Sequence, residues 1–179
     1  MIGALALKTL RAEVGSPVTA FSDIVIQDGT SFAVNESLRA IFPGGFTTND
    51  PAAIELHAAF SGLQDDVLAV SLAPNKEAER QFLPTPSELK GRLLLADRGY
   101  PSIDSFKALD DAGASFVMRL SRGFDPECRC APGTAKAQVA HLYRFRWQVE
   151  LCFKERKSYA NLKRFDTGNR HIVEGCDRN

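Results

Sequence analysis

Two short apolar runs, each followed at once by an aspartate, constrain the fold of this chain most. Ile24-Val25-Ile26-Gln27 precedes Asp28-Gly29, and Leu93-Leu94-Leu95-Ala96 precedes Asp97. Continuous apolar runs of this length are typical of strands that are covered on both faces. Such strands occur in sheets that are flanked by helices, so we expect an α/β architecture. Asp28-Gly29-Thr30 is interpreted as the turn that ends the first strand.

The segments between and after these runs complete a mixed sheet. The stretches 53–60 and 67–72 are predicted to form a hairpin. Ser102 is predicted to cap a helix that ends at Gly113. Apolar residues recur in this helix at every third position from Ile103. A strand at 115–120 is predicted to follow, parallel to 93–96. One uninterrupted helix is predicted from about Ala135 to about Ser158, because this stretch contains no Gly or Pro. This order predicts a sheet of about five strands flanked by helices.

Length and composition favour a single globular domain outside the membrane. The chain has 179 residues, 44% of them hydrophobic and 25% charged, which suits one domain with a real core. No stretch approaches the roughly 20 apolar residues of a membrane span. The apolar opening Met1–Leu7 has no preceding basic region, and the four cysteines form no paired CxxC framework. We therefore expect a cytoplasmic protein with reduced thiols.

The net charge is zero, with 22 basic and 22 acidic residues, so the overall charge does not indicate nucleic-acid binding. The distribution of charge is more informative. The segment from His141 to Arg170 contains eight Lys and Arg residues but only three acidic residues, with aromatic residues interleaved. Such a stretch can meet phosphates and bases, although a solvated helix face explains most charge runs.

Three carboxylates stand where a metal site is expected. Asp28 and Asp97 each follow a strand, and Glu150 lies on the long helix. Carboxylates brought together from separate elements repel one another unless cations neutralise them, and hard ions such as Mg²⁺ prefer oxygen ligands. Two such ions can activate an attacking hydroxyl and stabilise the leaving oxygen in phosphoryl transfer. Taken singly, however, Asp-Gly after a strand is a routine turn.

One edge of the long helix carries a polar seam. Tyr143, Arg146, Glu150 and Lys157 are separated by three, four and seven residues, so on a helix they fall within roughly 60° of one another. This seam lies beside the apolar stripe of the helix, which allows the helix to pack on the core and present polar groups together. Ordinary surface residues at helical spacing are the alternative. Trp147 lies off the seam and is expected to pack first and to stack on a base second.

These residues also carry a resemblance. Tyr143-x2-Arg146-x3-Glu150-x6-Lys157 matches the Y-(2)-R-(3)-E-(6)-K signature of DDE transposases of the IS-four type. Residues 26–30 resemble the first aspartate motif of that family and residues 93–100 resemble its second. The similarity runs from roughly Ile24 to Gly175 and preserves the order of the three motifs.

The resemblance implies a ribonuclease-H-like fold and a catalytic triad of Asp28, Asp97 and Glu150 that holds two divalent metal ions, Mg²⁺ or Mn²⁺. In the family a metal-activated water cuts the transposon end, and the freed 3′-hydroxyl then attacks target DNA. Tyr143, Arg146 and Lys157 would contact phosphates. The implied partner is double-stranded DNA at transposon ends, bound by a homodimer in a synaptic complex, with nucleoid association while DNA is bound.

The sequence also departs from the family pattern. The β-rich insertion that usually precedes the glutamate helix is expected to be missing, because only about a dozen residues join Leu120 to that helix. We expect an N-terminal remnant at 1–23, a catalytic core at 24–158 and a truncated C-terminal tail at 159–179, as in a shortened relative. Two alternatives stay open: a catalytically inactive remnant that at most binds DNA, and an α/β domain unrelated to DNA.

Overall fold

The runs at 24–27 and 93–96 form neighbouring parallel strands at the centre of a mixed sheet. The computed structural model describes residues 20–45, 51–64, 66–122, 136–147, 149–151, 153–154, 164–165 and 167–175. Its strands and α-helices are β1 (Ile24–Val34), β2 (Ala53–Ser61), β3 (Asp66–Pro74), β4 (Leu93–Ala96), α1 (Ile103–Asp111), β5 (Ser115–Met118), α2 (Lys136–Phe145), β6 (Arg164–Phe165) and α3 (Arg170–Gly175). Short 3₁₀ turns occupy Glu36–Leu38, Glu79–Phe82 and Pro86–Leu89.

The strand order is β3-β2-β1-β4-β5, with the short β6 paired to the far end of β1. β1–β2 and β2–β3 are antiparallel, which confirms the predicted hairpin, whereas β1–β4 and β4–β5 are parallel. The expectation of a mixed sheet of about five strands in an α/β fold is confirmed, and β6 adds a two-residue sixth strand. This architecture is consistent with a ribonuclease-H-like domain.

Alternation along the central strands divides the core into two layers. Ile24, Ile26, Leu93 and Leu95 pack with residues of α2 and the segment after it, including Leu142, Val149 and Phe153. Val25 and Leu94 face the other way and pack with Leu89, Leu109 and Ala114. Because each central strand is covered on both faces, each reads as a continuous apolar run.

A third cluster covers the distal half of β1. Phe32 and Val34 pack there with Leu38, Phe42 and Ile54, and Val173 of α3 is fully buried against them. Together with the pairing of Ala33 with Arg164, this contact joins the C-terminal part of the described chain to the sheet.

The prediction of a turn at Asp28-Gly29-Thr30 is wrong, because β1 runs straight through these residues. Asp28 pairs with Ala58, Gly29 with His57 and Thr30 with Leu56. The long partner strand β2 supplies hydrogen bonds over the whole distance, and this tertiary pairing outweighs the local turn preference of Asp-Gly.

The strand-helix-strand unit forms as predicted, with one difference. The Ser102 hydroxyl accepts from the Ser105 amide at 3.0 Å, and Gly113 ends the unit's helical turn with φ of 71°, a conformation that favours glycine. Of the predicted apolar stripe, Leu109 is buried but Ile103 is 67% exposed. The three-residue repeat therefore overestimated how much of α1 faces the sheet.

The long C-terminal helix is interrupted, contrary to prediction. α2 ends at Phe145, Arg146 forms a turn, and helical residues resume at 147 and continue to 154 at the positions described. The Arg146 amide donates to the Tyr143 carbonyl and the Val149 amide to the Arg146 carbonyl, both at 3.1 Å. These bonds span three residues rather than four, so the backbone tightens at Arg146.

Candidate active site

The two aspartates are brought together by the register of the parallel strands. Ile26 of β1 lies opposite Leu95 of β4. Asp28 and Asp97 each lie two residues beyond this pair, so both aspartates are carried to the same end of the β1–β4 pairing. β4 ends at Ala96 while β1 continues, so Asp97 leaves the sheet where Asp28 is still held within it.

Glu150 reaches the same place from the helical segment, through Arg146. The Arg146 guanidinium donates from Nη1 to Asp28 Oδ2 at 2.9 Å and from Nη2 to Glu150 Oε1 at 2.7 Å. Its Nη2 also lies 3.6 Å from Asp97 Oδ2. One guanidinium therefore contacts all three predicted catalytic carboxylates.

Arg146 remains charged in this setting. Its side chain is only 7% exposed. Burial alone would lower the pKa of the guanidinium, but the carboxylates of Asp28, Glu150 and Asp97 outweigh it and raise the pKa. Arg146 therefore supplies a permanent positive charge that balances part of the negative charge of these carboxylates.

Tyr143, another residue of the predicted polar seam, also contacts one of these carboxylates. Its hydroxyl donates to Asp97 Oδ1 at 3.0 Å. Burial raises the pKa of Tyr143, so the phenol keeps its proton and remains a donor near neutral pH. Tyr143 and Arg146 contact the aspartates and Glu150 joins them through Arg146, whereas Lys157 lies outside the described residues.

Two further carboxylates, which the sequence reasoning missed, lie at the same site. A cavity of about 370 Å³ is lined by Asp28, Asp97 and Glu150 and also by Glu55, Glu79 and Lys154. Glu55 lies on β2 and Glu79 on the 3₁₀ turn Glu79–Phe82. A carboxylate inside the apolar run of β2 was the available sequence signal for Glu55, since buried acidic residues are rare without a partner.

Two glycines leave room for the carboxylates of Glu55 and Glu79 beside the aspartates. A Cβ on Gly29 would lie 2.9 Å from Glu55 Oε1, and a Cβ on Gly99 would collide with the carboxylate of Glu79. Gly29 follows Asp28 and Gly99 lies two residues after Asp97. Each aspartate motif therefore contains a glycine that opens space for a second acidic side chain.

Crowding and burial raise the pKa of these acids. Burial raises the pKa of Asp28 to about 6, although Arg146 and the Gly29 amide act in the opposite direction. Burial, with help from Glu79 and Asp28, raises the pKa of Glu55 to about 7. Burial also raises the pKa of Glu79, with a contribution from Asp97. Such a cluster favours a bound cation.

The donor set fits a divalent metal ion. Carboxylate oxygens from three separate elements lie within reach of a single cation, the Arg146 guanidinium, and they are the ligands that Mg²⁺ and Mn²⁺ prefer. Within the described ranges, no group of three or more His, Cys, Asp and Glu side chains is already arranged as a metal site. Arg146 stands between the carboxylates, so a metal ion there requires the guanidinium to move.

A second cavity, which borders β1 and β2 near His57, has a different character. It measures about 460 Å³ and is lined mainly by apolar residues around His57, Phe82 and Leu68. The His57 ring stacks on Phe82 with centroids 4.0 Å apart, and burial lowers its pKa to about 4. His57 is thus a neutral residue of the core.

Trp147 does not pack in the core, contrary to expectation. Its side chain is 51% exposed, and the Lys154 ammonium lies 4.8 Å from the centre of its ring.

In the part of the chain that the structure describes, no helix is long and apolar enough to cross a bilayer.

Comparison with known proteins finds transposases of insertion sequence elements. Similar proteins include transposases for the insertion sequence elements IS1151 of Clostridium perfringens, 27% identical over 104 residues, and IS231E of Bacillus thuringiensis subsp. finitimus, 28% identical over 107 residues. These alignments cover 57% and 59% of this chain, and in both cases 22% of the relative. The chain thus spans about a fifth of the length of these curated relatives. No solved structure matches it.

The family comparison covers nearly the whole chain. Residues 19–175 match the transposase DDE domain, and this range includes all the acidic residues that converge on Arg146. DDE domains as a family use divalent metal ions, in keeping with the oxygen-rich donor set described above. This chain belongs to the transposase DDE domain family.

Proposed function

We propose that this domain is the catalytic part of an insertion-sequence transposase, which cuts DNA at the ends of its element and joins the cut ends to target DNA. Asp28, Asp97 and Glu150 form the catalytic triad in this proposal. The observation that carries it is the convergence of these three carboxylates, from β1, the end of β4 and the helical segment, on one guanidinium.

The triad is proposed to hold two divalent ions, Mg²⁺ or Mn²⁺. When bound, such ions lower the pKa of an attacking hydroxyl and neutralise charge on the phosphoryl group. Two observations support this proposal: the pKa of Asp28 is raised, and five acidic residues line one cavity. The single positive charge of Arg146 does not balance five carboxylates, so the site favours further cations.

Arg146 and Tyr143 are proposed to exchange partners when DNA binds. In the structure both contact triad carboxylates. If a bound metal ion balanced the charge of those carboxylates, the guanidinium and the phenol would donate to phosphate oxygens of the DNA instead. Lys157 joins them in the proposal on the basis of its position in the signature. The proposed partner is double-stranded DNA at the element's ends, held by a homodimer.

A cleavage assay tests the proposal. The substrate is DNA that carries the inverted repeats flanking the gene, incubated with Mg²⁺ or Mn²⁺. We expect nicking at the repeat by the native protein and none by Glu150→Gln. Glu77→Gln, the same exchange at an exposed position, should nick like the native protein.

The possible results separate the hypotheses. Equal products from the native protein and Glu150→Gln would refute the catalytic role. Salt-sensitive DNA binding without cleavage under either metal would favour the inactive remnant instead.

A further inference from the structure

The turn that carries Asp97 is anchored in the interior by the side chain of Tyr100. β4 ends at Ala96, and the Tyr100 amide donates to the Asp97 carbonyl at 3.3 Å, which closes a four-residue turn. The two residues between them, Arg98 and Gly99, are exposed, whereas Tyr100 is only 1% exposed. The far end of the turn is therefore fixed by a buried side chain.

The Tyr100 hydroxyl is held between the two long strands of the sheet. It lies 3.5 Å from His57 Nδ1 on β2 and is hydrogen-bonded to the side chain of Gln27 on β1. Burial raises the pKa of Tyr100 and lowers that of His57 to about 4, so the phenol keeps its proton and the imidazole is neutral near pH 7. The phenol can therefore donate to His57 Nδ1 while its oxygen accepts from the Gln27 amide. Because Gln27 and His57 are 1% and 2% exposed, water competes little for these bonds.

This anchor relates the positions of the two aspartates. Gln27 directly precedes Asp28 on β1, so its bond to Tyr100 joins the strand of Asp28 to the turn of Asp97. Side chains alternate along a strand, so Gln27 and Asp28 point to opposite faces of the sheet. Tyr100 therefore reaches β1 from the face that the Asp28 carboxylate does not use.

The anchor at Tyr100 differs in kind from the contacts of Arg146 and Tyr143. Those two residues bind the carboxylates of the aspartates directly, and the proposed function requires them to release these carboxylates when metal and DNA bind. The Tyr100 hydroxyl bonds instead to the buried amide and imidazole, so a metal ion does not compete for its contacts. After the release, the buried tyrosine still holds the Asp97 turn against β1.

We infer that Tyr100 is a positioning residue of the catalytic site, whose buried hydroxyl fixes the Asp97 turn at the separation from Asp28 that a shared Mg²⁺ ion requires. The inference rests on the proposed function, because it needs a metal ion shared by the two aspartates. Mg²⁺ demands near-ideal octahedral geometry, whereas Ca²⁺ accepts irregular sets of oxygen ligands. A loosened turn should therefore lower the affinity for Mg²⁺ much more than the affinity for Ca²⁺.

Tyr100→Phe, which removes the hydroxyl and keeps the ring, tests this role by titration calorimetry with Mg²⁺ and with Ca²⁺. We expect Mg²⁺ to bind about tenfold more weakly to the variant than to the native protein, the low end of the effect of removing groups that orient metal ligands. Ca²⁺ affinity should change less than about twofold. His57→Phe keeps a ring beside Phe82 but cannot accept from the hydroxyl, so it should lower Mg²⁺ affinity selectively as well.

Amide hydrogen exchange in the presence of a chelator reports on the turn without any metal. The amide of residue 100 donates to the Asp97 carbonyl, and in Tyr100→Phe it should exchange about fivefold faster, the effect of losing one ordinary hydrogen bond on a local opening.

The control for both measurements is Leu109→Val, which shortens a buried side chain of α1 that packs with Val25 and Leu94. This variant should be less stable than the native protein. It should nevertheless keep the native exchange rate at residue 100 and the native ratio of Mg²⁺ to Ca²⁺ affinity, because the contacts of Tyr100 are unchanged.

The results distinguish this inference from the proposed function. Native exchange at residue 100 in Tyr100→Phe, equal losses of Mg²⁺ and Ca²⁺ affinity, or a native protein that binds no Mg²⁺ would each overturn the inference. If the native protein nicks DNA and Tyr100→Phe keeps the native affinity for Mg²⁺, the inference fails and the proposed function stands. If the selective loss of Mg²⁺ affinity occurs in a protein that does not nick DNA, the positioning role stands and the catalytic proposal fails.

Discussion

Arg146 Nη1 lies 2.9 Å from Asp28 Oδ2, although 118 positions separate the two residues in the sequence. Both side chains are largely buried, with exposures of 7% and 12%. The pair therefore ties the helical segment to the central strand of the sheet, at the place where the carboxylates of Asp97 and Glu150 also converge.

Replacing Arg146 should destabilise the metal-free protein. Arg146→Met would leave a buried Asp28 carboxylate without its counter-charge, which typically costs 3–5 kcal/mol. We expect about 3 kcal/mol, because Asp97 and Glu150 are partly solvated at 33% and 26% exposure. Urea unfolding in the presence of a chelator measures the loss. Arg144→Met, at an exposed arginine two positions away, should cost less than about 0.5 kcal/mol, and an equal loss in both variants would contradict the role of Arg146.

Divalent ions should stabilise the Arg146→Met variant more than the native protein. In the native protein a metal ion must compete with the guanidinium for the same carboxylates, whereas in the variant those carboxylates are unpaired. A ligand that binds only the folded state adds RT ln(1 + [L]/Kd), so a tenfold tighter Kd adds about 1.4 kcal/mol at saturating metal. The measurement is the shift of Tm on adding Mg²⁺ or Mn²⁺.

A control for this metal effect is Arg146→Met combined with Asp28→Asn and Glu150→Gln, which removes two proposed ligands. The extra stabilisation by metal should disappear in this triple variant. A metal-induced shift of Tm that is the same in all three proteins would show binding elsewhere.

The stability of the metal-free protein should fall as pH rises from about 4.5 to about 7. Burial raises the pKa of Glu55 from 4.5 in the unfolded chain to about 7 in the folded protein, so over this window the folded state holds a proton that the unfolded state has released. The slope of the unfolding free energy with pH is then negative, and the total change from Glu55 is on the order of 3 kcal/mol. Asp28, with its pKa raised to about 6, acts in the same direction between its unfolded value of 3.8 and 6.

Glu55→Gln checks the source of this pH dependence. The variant should flatten the decline between pH 4.5 and 7 in urea-unfolding series, since it has no proton to lose. Glu77→Gln, at an exposed position, should keep the native slope. Parallel curves for the native protein and Glu55→Gln would rule out Glu55 as the titrating group.

Gly99 and Glu79 should behave as a coupled pair. A Cβ at position 99 would collide with the Glu79 carboxylate, so Gly99→Ala should displace that side chain and cost about 1–3 kcal/mol, the usual range for overpacking. In a Glu79→Ala background the same glycine exchange should cost much less. A double-mutant cycle of unfolding free energies measures this coupling. Equal costs in both backgrounds would mean that another contact, not Glu79, requires the glycine.

The sequence allowed the layers of this fold to be predicted, since they follow from local patterns. The run Leu93–Ala96 indicated a strand covered on both faces, and Ser102 and Gly113 marked the limits around α1. The extended conformation of Asp28-Gly29 was not predictable from local patterns. It depends on hydrogen bonds to β2, which lies nearly thirty residues further along the chain.

The candidate site was predictable in part for a similar reason. The spacing of Tyr143, Arg146 and Glu150 indicated a shared face; Tyr143 and Arg146 do contact the aspartates, and Glu150 contacts Arg146. The roles of Glu55 and Glu79 could not be read from spacing, because they reach the cavity only through the space that Gly29 and Gly99 leave. The exposure of Trp147 follows from which face of the helical segment packs on the sheet, a choice that apolar periodicity alone left open.

In the described part of the chain, β1 extends eight residues beyond its last pairing with β4, and β6 pairs with the distal end of this extension. β2 pairs with β1 along nearly all of it, so Asp28 stays within the sheet on the side of β2 although β4 has already ended. The backbone position of Asp28 is therefore set by sheet hydrogen bonds, whereas Asp97 lies beyond its strand and is held by its side-chain contacts with Tyr143 and Arg146. A change in those two side chains should thus displace the carboxylate of Asp97 more readily than that of Asp28.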